Sequence, residues 1–129
     1  MKRLTPVLLV EEIEPCLPFW VDRLSFEKTT EVPEGDRLGF VILARGGIEI
    51  MYQTRASVKG DIPALAASPA GGAFLFIEVE DLDAIERSLA GIEPVTPRRK
   101  TFYGADELIV REPGGNVITF AQFGKEAGG

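Results

Sequence analysis

The chain of 129 residues contains no histidine and a single cysteine, Cys16. Without an imidazole there is no Ser-His-Asp or Cys-His catalytic arrangement, no histidine general base and no zinc site with imidazole ligands. One cysteine excludes an internal disulfide and any cysteine-rich metal site. Because Cys16 stands between two prolines in an apolar stretch, we predict a buried structural thiol and a reducing, cytoplasmic environment.

Long apolar runs and an excess of basic residues are missing as well. The apolar run near the N-terminus covers only Val7 to Val10, which is too short for the core of a signal peptide or for a membrane span. The 14 Lys and Arg residues against 20 Asp and Glu give a formal net charge of −6, which argues against a nucleic acid partner. The acidic balance is compatible with a cationic ligand, but it is also common among soluble proteins.

The remaining composition is that of an ordinary folded domain. Apolar residues make up 45% of the chain and charged residues 26%, which is too apolar for a disordered segment. A chain of this length suits one domain, so we assign residues 1–129 to a single unit.

The first half, about residues 3–55, predicts a strand, a helix and a hairpin. The helix is expected where acidic residues and Pro15 suit a first turn, and the hairpin where two apolar runs flank a glycine-rich turn. The predicted elements are a strand at Val7 to Val10, a helix from about Glu14 to Leu24, and strands at Arg37 to Ala44 and Ile48 to Gln53.

The second half, about residues 73–123, follows a segment at 56–72 that is rich in Gly, Pro, Ala and Ser and predicts a linker. Asp81 and Asp83 suit the start of a helix and Gly91 its end. The predicted elements are a strand at Ala73 to Val79, a helix from Asp81 through Leu89, a short strand at Glu93 to Thr96, and hairpin strands at Glu107 to Arg111 and Asn116 to Gln122.

The two halves repeat each other. Val10-Glu11-Glu12-Ile13-Glu14 matches Val79-Glu80-Asp81-Leu82-Asp83, 69 residues later. A repeat of this length is one supersecondary unit used twice, because neither copy buries its apolar face alone. We therefore predict an α+β fold: two modules in tandem that form a curved mixed sheet, with helices on the convex side and a cleft on the concave side.

Four stretches of the chain together resemble the vicinal oxygen chelate superfamily, also called the glyoxalase, bleomycin-resistance and extradiol-dioxygenase group. The resemblance covers about residues 3–123 and depends on the order and spacing of the stretches. They are Leu8 to Ile13 followed by Leu17, Phe19 and Trp20; Gly47-Ile48-Glu49-Ile50-Met51; Phe76 to Asp83; and Tyr103-Gly104 through Arg111-Glu112-Pro113-Gly114-Gly115-Asn116.

The resemblance implies two βαβββ modules and a homodimer whose clefts are shaped by modules of both subunits. The metal enzymes of the family hold one divalent ion with four side chains, and these positions fall here on Thr5, Glu49, Phe74 and Thr119. Only Glu49 matches a family ligand. One carboxylate, two hydroxyls and a phenyl ring are too few strong donors for a divalent ion, so we predict no metal and no cofactor.

Strand alternation, placed by the family pattern, predicts the lining of the cleft. An apolar, aromatic cavity with a few charges is typical of a small-molecule site, although core packing is the better explanation for each apolar residue taken alone. The predicted lining is Phe40, Ile42, Glu49, Met51, Phe74, Phe76, Glu78, Tyr103, Glu107, Ile109, Arg111 and Thr119, with Val7 and Leu9 on the same face by alternation.

The charged residues leave alternatives open. Glu49 is either a vestige paired with Arg111 or a carboxylate of the site. Glu49, Glu78 and Glu107 converging on one cleft would favour a cation. The basic run at 98–100 is interpreted as a solvated loop, with a lid or a binding site for an acidic ligand as the alternatives. Trp20 is expected in the core rather than at the rim.

These features favour a binding protein: a metal-free cytoplasmic homodimer, related to bleomycin-resistance proteins, that takes a small aromatic or cationic molecule into its cleft. The alternative is an enzyme of the same superfamily, a lyase, isomerase or dioxygenase, that uses a weakly bound metal or acid–base chemistry by Glu49, Glu107 and Arg111. A third reading is a structural or regulatory domain whose cleft is filled by phenylalanines. The sequence names no ligand.

Overall fold

The structure, a computed structural model, describes residues 1–124 of the chain and contains two four-stranded mixed sheets. In strand order the sheets are β1-β4-β3-β2 and β5-β8-β7-β6. The first strand of each sheet is parallel to its neighbour, and the other pairs are antiparallel. The predicted α+β fold of tandem βαβββ modules is thereby confirmed, with one sheet in each module.

The first module contains strands β1 (Val7–Val10), β2 (Glu27–Glu34), β3 (Arg37–Arg45) and β4 (Ile48–Thr54), with a 3-10 turn at Glu14–Cys16 and a π-helical segment at Pro18–Arg23. Helix α1 (Arg55–Asp61) and a 3-10 turn at Pro63–Leu65 lead to the second module. That module contains β5 (Phe74–Glu78), helix α2 (Leu82–Ser88), β6 (Arg99–Lys100), β7 (Ala105–Arg111) and β8 (Val117–Phe123).

The predicted helix from Glu14 to Leu24 is wrong in its geometry. The segment is helical but divides into the 3-10 turn and the π-helical segment, which begins at Pro18. Proline has no N–H to donate, and its ring collides with the carbonyl of the preceding turn, so a regular α-helix does not continue through this position.

Three other expectations about secondary structure are also corrected. The predicted linker contains α1, whose first turn is capped by Thr54, the acceptor of a 3.1 Å hydrogen bond from the Ser57 N–H. No strand forms at 93–96, where prolines at both ends of the stretch limit ladder bonding; the strand β6 follows instead. The strand β2 was missed because all eight of its residues are exposed and it carries no apolar alternation.

The helix α2 agrees with its sequence signals. The Asp81 side chain accepts a 3.1 Å hydrogen bond from the Ala84 N–H at the N-terminus of the helix. Gly91, just beyond its end, has a φ of +89°, a left-handed conformation that glycine adopts without strain.

The apolar core lies between the two modules. Trp20, Ile13 and Tyr52 from the first module and Leu82 and Ile118 from the second are completely buried and belong to one hydrophobic cluster. Cys16 is also completely buried, as predicted, and burial raises the pKa of its thiol to about 12. Within residues 1–124, no helix has the length and apolar character needed to cross a membrane.

A network of buried hydrogen bonds joins the modules inside this core. The Trp20 indole N–H donates to the Tyr52 hydroxyl at 2.8 Å, and the Tyr52 hydroxyl donates to the Glu112 carboxylate in the β7–β8 turn. The other carboxylate oxygen of Glu112 accepts from the Asn116 N–H at 2.5 Å. Because unpaired polar groups are costly in a core, this network of hydrogen bonds orients the second module against the first.

Candidate functional site

The inner faces of the sheets form the core, and the opposite faces are open in the single chain. The first open face belongs to the first sheet, where Val7, Met51 and Ile42 lie in one cross-strand row and Leu9, Gln53 and Phe40 in the next. Apart from the exposed Val7, these side chains are half-buried, so this face is apolar but accessible.

The second open face belongs to the second sheet and has three cross-strand rows. The rows are Phe74, Val117 and Arg111; Phe76, Thr119 and Ile109; and Glu78, Ala121 and Glu107. Apart from Glu107, which is 1% exposed, the sheet residues that we predicted from alternation therefore lie outside the core, on two separate faces. Whether they bind a ligand remains a prediction.

The exposed phenylalanines decide one alternative. The side chain of Phe74 is 81% exposed and that of Phe76 is 53% exposed. Neither fills a cavity of the described chain, so the interpretation of these two residues as core filling is wrong. Both lie on β5, which is an edge strand. An exposed apolar edge is a surface that proteins normally cover with a partner or a ligand.

Glu49 is held by residues near the N-terminus. Its carboxylate accepts a hydrogen bond of 3.0 Å from the Thr5 hydroxyl, and Arg3 lies 3.6 Å away. Thr5 and Glu49, both at metal positions of the family, are therefore adjacent. Within residues 1–124 of one chain, Glu49 does not pair with Arg111, which lies on the other sheet.

Glu107 is only 1% exposed although it points to the second open face. The Arg99 guanidinium lies 3.1 Å from its Oε1 atom, and the Tyr103 hydroxyl donates to its Oε2 atom. The hydrogen bond with Glu107 raises the pKa of Tyr103. A turn at residues 101–104 thus covers a carboxylate that would otherwise face solvent.

The basic run at 98–100 is not a loop, since Arg99 and Lys100 form strand β6, but these two side chains are solvent-exposed, at 56% and 85%. Arg98 bridges helix α2 and strand β7, with Asp83 and Asp106 each 2.8 Å from its guanidinium. Arg98 also holds the pKa of the Asp106 carboxyl below its usual value. The sequence offered no signal for these contacts, because the partners are separated along the chain.

The three carboxylates do not converge within one chain. Glu49 lies on the first open face, whereas Glu78 and Glu107 lie on the second, on either side of Ala121. Of the three, Glu78 is the most exposed, and Arg111 at the other end of the face is exposed too.

The four metal positions of the family do not fit a divalent ion. Thr5 already donates its hydroxyl hydrogen to Glu49, Phe74 offers no lone pair, and Thr119 pairs across the sheet with Phe76 rather than with Phe74. Among residues 1–124, no three Cys, Asp or Glu side chains are grouped as metal ligands. A divalent ion requires several strong donors, and this set supplies one carboxylate.

The larger surface cavities described lie at the joint between the modules. One, of about 660 Å³, borders Val10 and Pro113. Another, of about 580 Å³, borders Phe26, Ile48 and Ile77. Neither cavity is lined by residues of both open faces. The residues that the structure describes in a single chain therefore do not enclose the cleft expected from the sequence.

Comparison with known proteins identifies the fold. The sequence profile of the glyoxalase/bleomycin resistance protein/dioxygenase superfamily matches residues 3–120. The chain belongs to this superfamily. No curated protein matches the chain significantly, so membership in the superfamily does not by itself identify a ligand.

Several solved structures superimpose on nearly the whole chain. TioX from Micromonospora sp. ML1 has a TM-score of 0.77 at 17% identity, covering 95% of this chain and 99% of its own. TnmS3, an antibiotic binding protein from Streptomyces sp. CB03234, has a TM-score of 0.72 at 19% identity, with 96% and 98% covered. The bleomycin-binding protein from Streptomyces verticillus, solved with copper(II)-bleomycin, has a TM-score of 0.62 at 28% identity, with 97% and 99% covered.

Proposed function

We propose that this protein binds a small aromatic or cationic molecule, without a metal of its own, as a cytoplasmic homodimer. The observation that carries the proposal is the pair of open sheet faces, with Phe74 and Phe76 exposed where a core residue would be buried. Apolar faces with a few placed charges are typical of small-molecule sites. The superfamily members named above that bind bleomycin or an antibiotic support the same class of function.

The proposed dimer explains why each open face lacks a second wall. A molecule lying on one face of a single chain would keep much of its own surface in water, whereas protein pockets bury most of a ligand. A second copy that brought its first open face opposite the second open face would supply that wall. The exposed edge strand β5 favours such an association, because its Phe74 side chain would leave water.

The donor set supports the metal-free part of the proposal. The carboxylate of Glu49 is occupied by Thr5 and lies near Arg3, and Phe74 replaces a ligand of the family's metal enzymes. The same contacts weigh against the enzyme alternative. Glu107 is covered by Arg99 and Tyr103, so it would have to lose both partners before acting as a base. The exposed side chains of Phe74 and Phe76 also weigh against a structural domain whose cleft is filled by phenylalanines.

Calorimetric titration tests the proposal directly. We expect a cationic aromatic glycopeptide, bleomycin, to bind to the wild-type protein, and Phe76→Ala to weaken binding about tenfold through lost contact area. Leu65→Ala is a matched control, because Leu65 is 48% exposed but lies in the 3-10 turn at Pro63–Leu65, outside both sheets. Calorimetry is preferable to intrinsic fluorescence because Trp20 is completely buried. Absence of binding, or equal loss in both variants, would contradict the proposal.

A further inference from the structure

The charges on the second open face are arranged in a way that the acidic composition did not reveal. This face has four ionisable groups at or beside it: Glu78, Glu107, Arg111 and Arg99. Directly opposite residues of neighbouring strands present their side chains on the same face. Arg99 is the cross-strand partner of Glu107, and Glu107 pairs across β7 and β8 with Ala121.

Two of these charges neutralise each other. Arg99 and Glu107 form an ion pair of 3.1 Å between strands β6 and β7, and the Tyr103 hydroxyl occupies the other oxygen of the carboxylate. Glu107 is also 99% buried, being 1% exposed. Because breaking a buried pair leaves a charge uncompensated, Glu107 is not available to a ligand without loss of these contacts.

The other two charges have no such partner. Within residues 1–124, neither Glu78 nor Arg111 forms an ion pair or a side-chain hydrogen bond. Glu78 belongs to the row of Ala121 and Arg111 to the row of Val117. Glu78 and Arg111 are separated by four residues along the strands and by two strand spacings, so their Cα atoms lie about 16 Å apart. This distance is too large for the two charges to neutralise each other.

The surface between these two charges is apolar. Phe76, Thr119 and Ile109 form the middle row, and Phe76 is 53% exposed. The second open face therefore runs from an available carboxylate, across an aromatic and aliphatic middle with one hydroxyl, to an available guanidinium.

We propose that this face selects an amphoteric ligand, with a cationic group at Glu78, an anionic group at Arg111 and an aromatic or apolar body across Phe76 and Ile109. This inference rests on the proposed binding function and specifies its ligand class. A purely cationic ligand would cover Arg111 and remove its water without supplying an anion, which is unfavourable. A ligand with both charges compensates both ends of the face.

Three xanthene dyes with similar aromatic bodies provide the test. At neutral pH rhodamine B carries both a cation and a carboxylate, rhodamine B ethyl ester carries only the cation, and fluorescein is anionic. Fluorescence anisotropy of each dye with the full-length chain gives the dissociation constants. We expect rhodamine B to bind about tenfold more tightly than either of the others, because only it satisfies both charges.

Single charge removals should have crossed effects. Glu78→Gln is expected to weaken rhodamine B and its ethyl ester about tenfold and to leave fluorescein unchanged. Arg111→Gln is expected to weaken rhodamine B and fluorescein and to leave the ester unchanged. Asp22→Asn and Arg87→Gln are matched controls, because both residues are exposed and lie on helical segments rather than on the sheets; they should change none of the affinities.

The outcomes separate the inference from the proposed function. One outcome is that the dyes bind and Phe76→Ala weakens their binding, but the dissociation constants do not depend on the charge of the dye and the crossed pattern is absent. In that case the binding function stands and the amphoteric ligand class is wrong. If none of the dyes binds, both are contradicted. If Glu78→Gln and Arg111→Gln weaken self-association in sedimentation while dye binding is unchanged, the two charges serve a protein interface and the inference is also wrong.

Discussion

Tyr52 donates its phenolic hydrogen to the carboxylate of Glu112, across the joint between the two modules. Both residues are buried: Tyr52 is completely inaccessible to solvent and Glu112 is 2% exposed. Burial is the largest cause of a strongly raised pKa for Tyr52, followed by the nearby Glu112 charge, so the phenol remains the donor throughout the accessible pH range. This contact ties strand β4 of one module to the β7–β8 turn of the other.

Replacing Tyr52 with phenylalanine should lower stability without changing the fold. The substitution Tyr52→Phe keeps the ring but deprives Glu112 of one donor and the Trp20 indole of its acceptor. Leaving buried polar groups unpaired in this way should cost about 2 kcal/mol of unfolding free energy, measured by urea denaturation. Thr29→Val is the control: it also removes a hydroxyl that donates a hydrogen bond, here to the Ile42 carbonyl, but at an exposed side chain, and we expect a much smaller loss. Equal losses in the two variants would refute the role of the buried joint.

Acid should destabilise the protein partly through Glu14. The Leu38 N–H donates to the Glu14 carboxylate at 2.8 Å, and this bond lowers the pKa of Glu14 from its ordinary value of 4.5. A lowered folded-state pKa adds stability above the ordinary value, and that stability is lost as the pH falls through the folded-state pKa.

The variant Glu14→Gln removes this titration, so its unfolding free energy should fall less steeply than that of the wild type between about pH 5 and pH 2. Glu93→Gln, at an exposed carboxylate, should leave the slope unchanged. Parallel curves for the wild type and Glu14→Gln would show that the contact with Leu38 contributes nothing.

The thiol of Cys16 should be unreactive in the folded chain. It is completely buried, and burial raises its pKa to about 12, so almost none of it is thiolate near neutral pH. We expect no titration by a thiol-specific disulfide reagent in buffer and one thiol per chain in denaturant, since the sequence has one cysteine. Rapid reaction of the native protein would show that the core opens there.

Metal binding should be absent from the wild type and recoverable by substitution. Metal analysis of the purified protein is expected to find no near-stoichiometric Zn, Ni, Mn or Fe. A variant combining Thr5→His, Phe74→His and Thr119→Glu adds the donors that the family's metal enzymes carry at these positions, and Glu49 completes the set. We expect this variant to bind nickel in equilibrium dialysis. Stoichiometric metal in the wild type would overturn the metal-free proposal.

Self-association should depend on the exposed edge strand β5. We expect the wild type to sediment as a dimer and Phe74→Glu as a monomer, because a charge would be buried in the proposed interface. Leu65→Glu introduces the same charge at an exposed side chain in the 3-10 turn at Pro63–Leu65, outside both sheets, and it should remain dimeric. A monomeric wild type at high concentration would contradict the proposed dimer.

Local sequence signals predicted most of the regular structure. The alternation in β3 and β4 and the caps of α2 act over a few residues, and the corresponding elements formed close to their expected bounds. The signals failed where local chemistry was ambiguous. Strand β2 is exposed throughout, and the segment from Glu14 contains a proline that changes the type of helix. Neither strand pairing nor helix type is encoded by apolar periodicity alone.

The sequence by itself determined the duplicated module, the superfamily and the faces on which side chains lie, because these follow from periodicity and from a repeat 69 residues apart. Only the tertiary structure decided which charges are available. Glu107 is covered by Arg99 and Tyr103, Glu49 by Thr5, and Glu112 is buried against Tyr52, 60 residues away along the chain. A carboxylate is free or compensated according to the groups that folding brings beside it, and that proximity is a long-range property that composition does not contain.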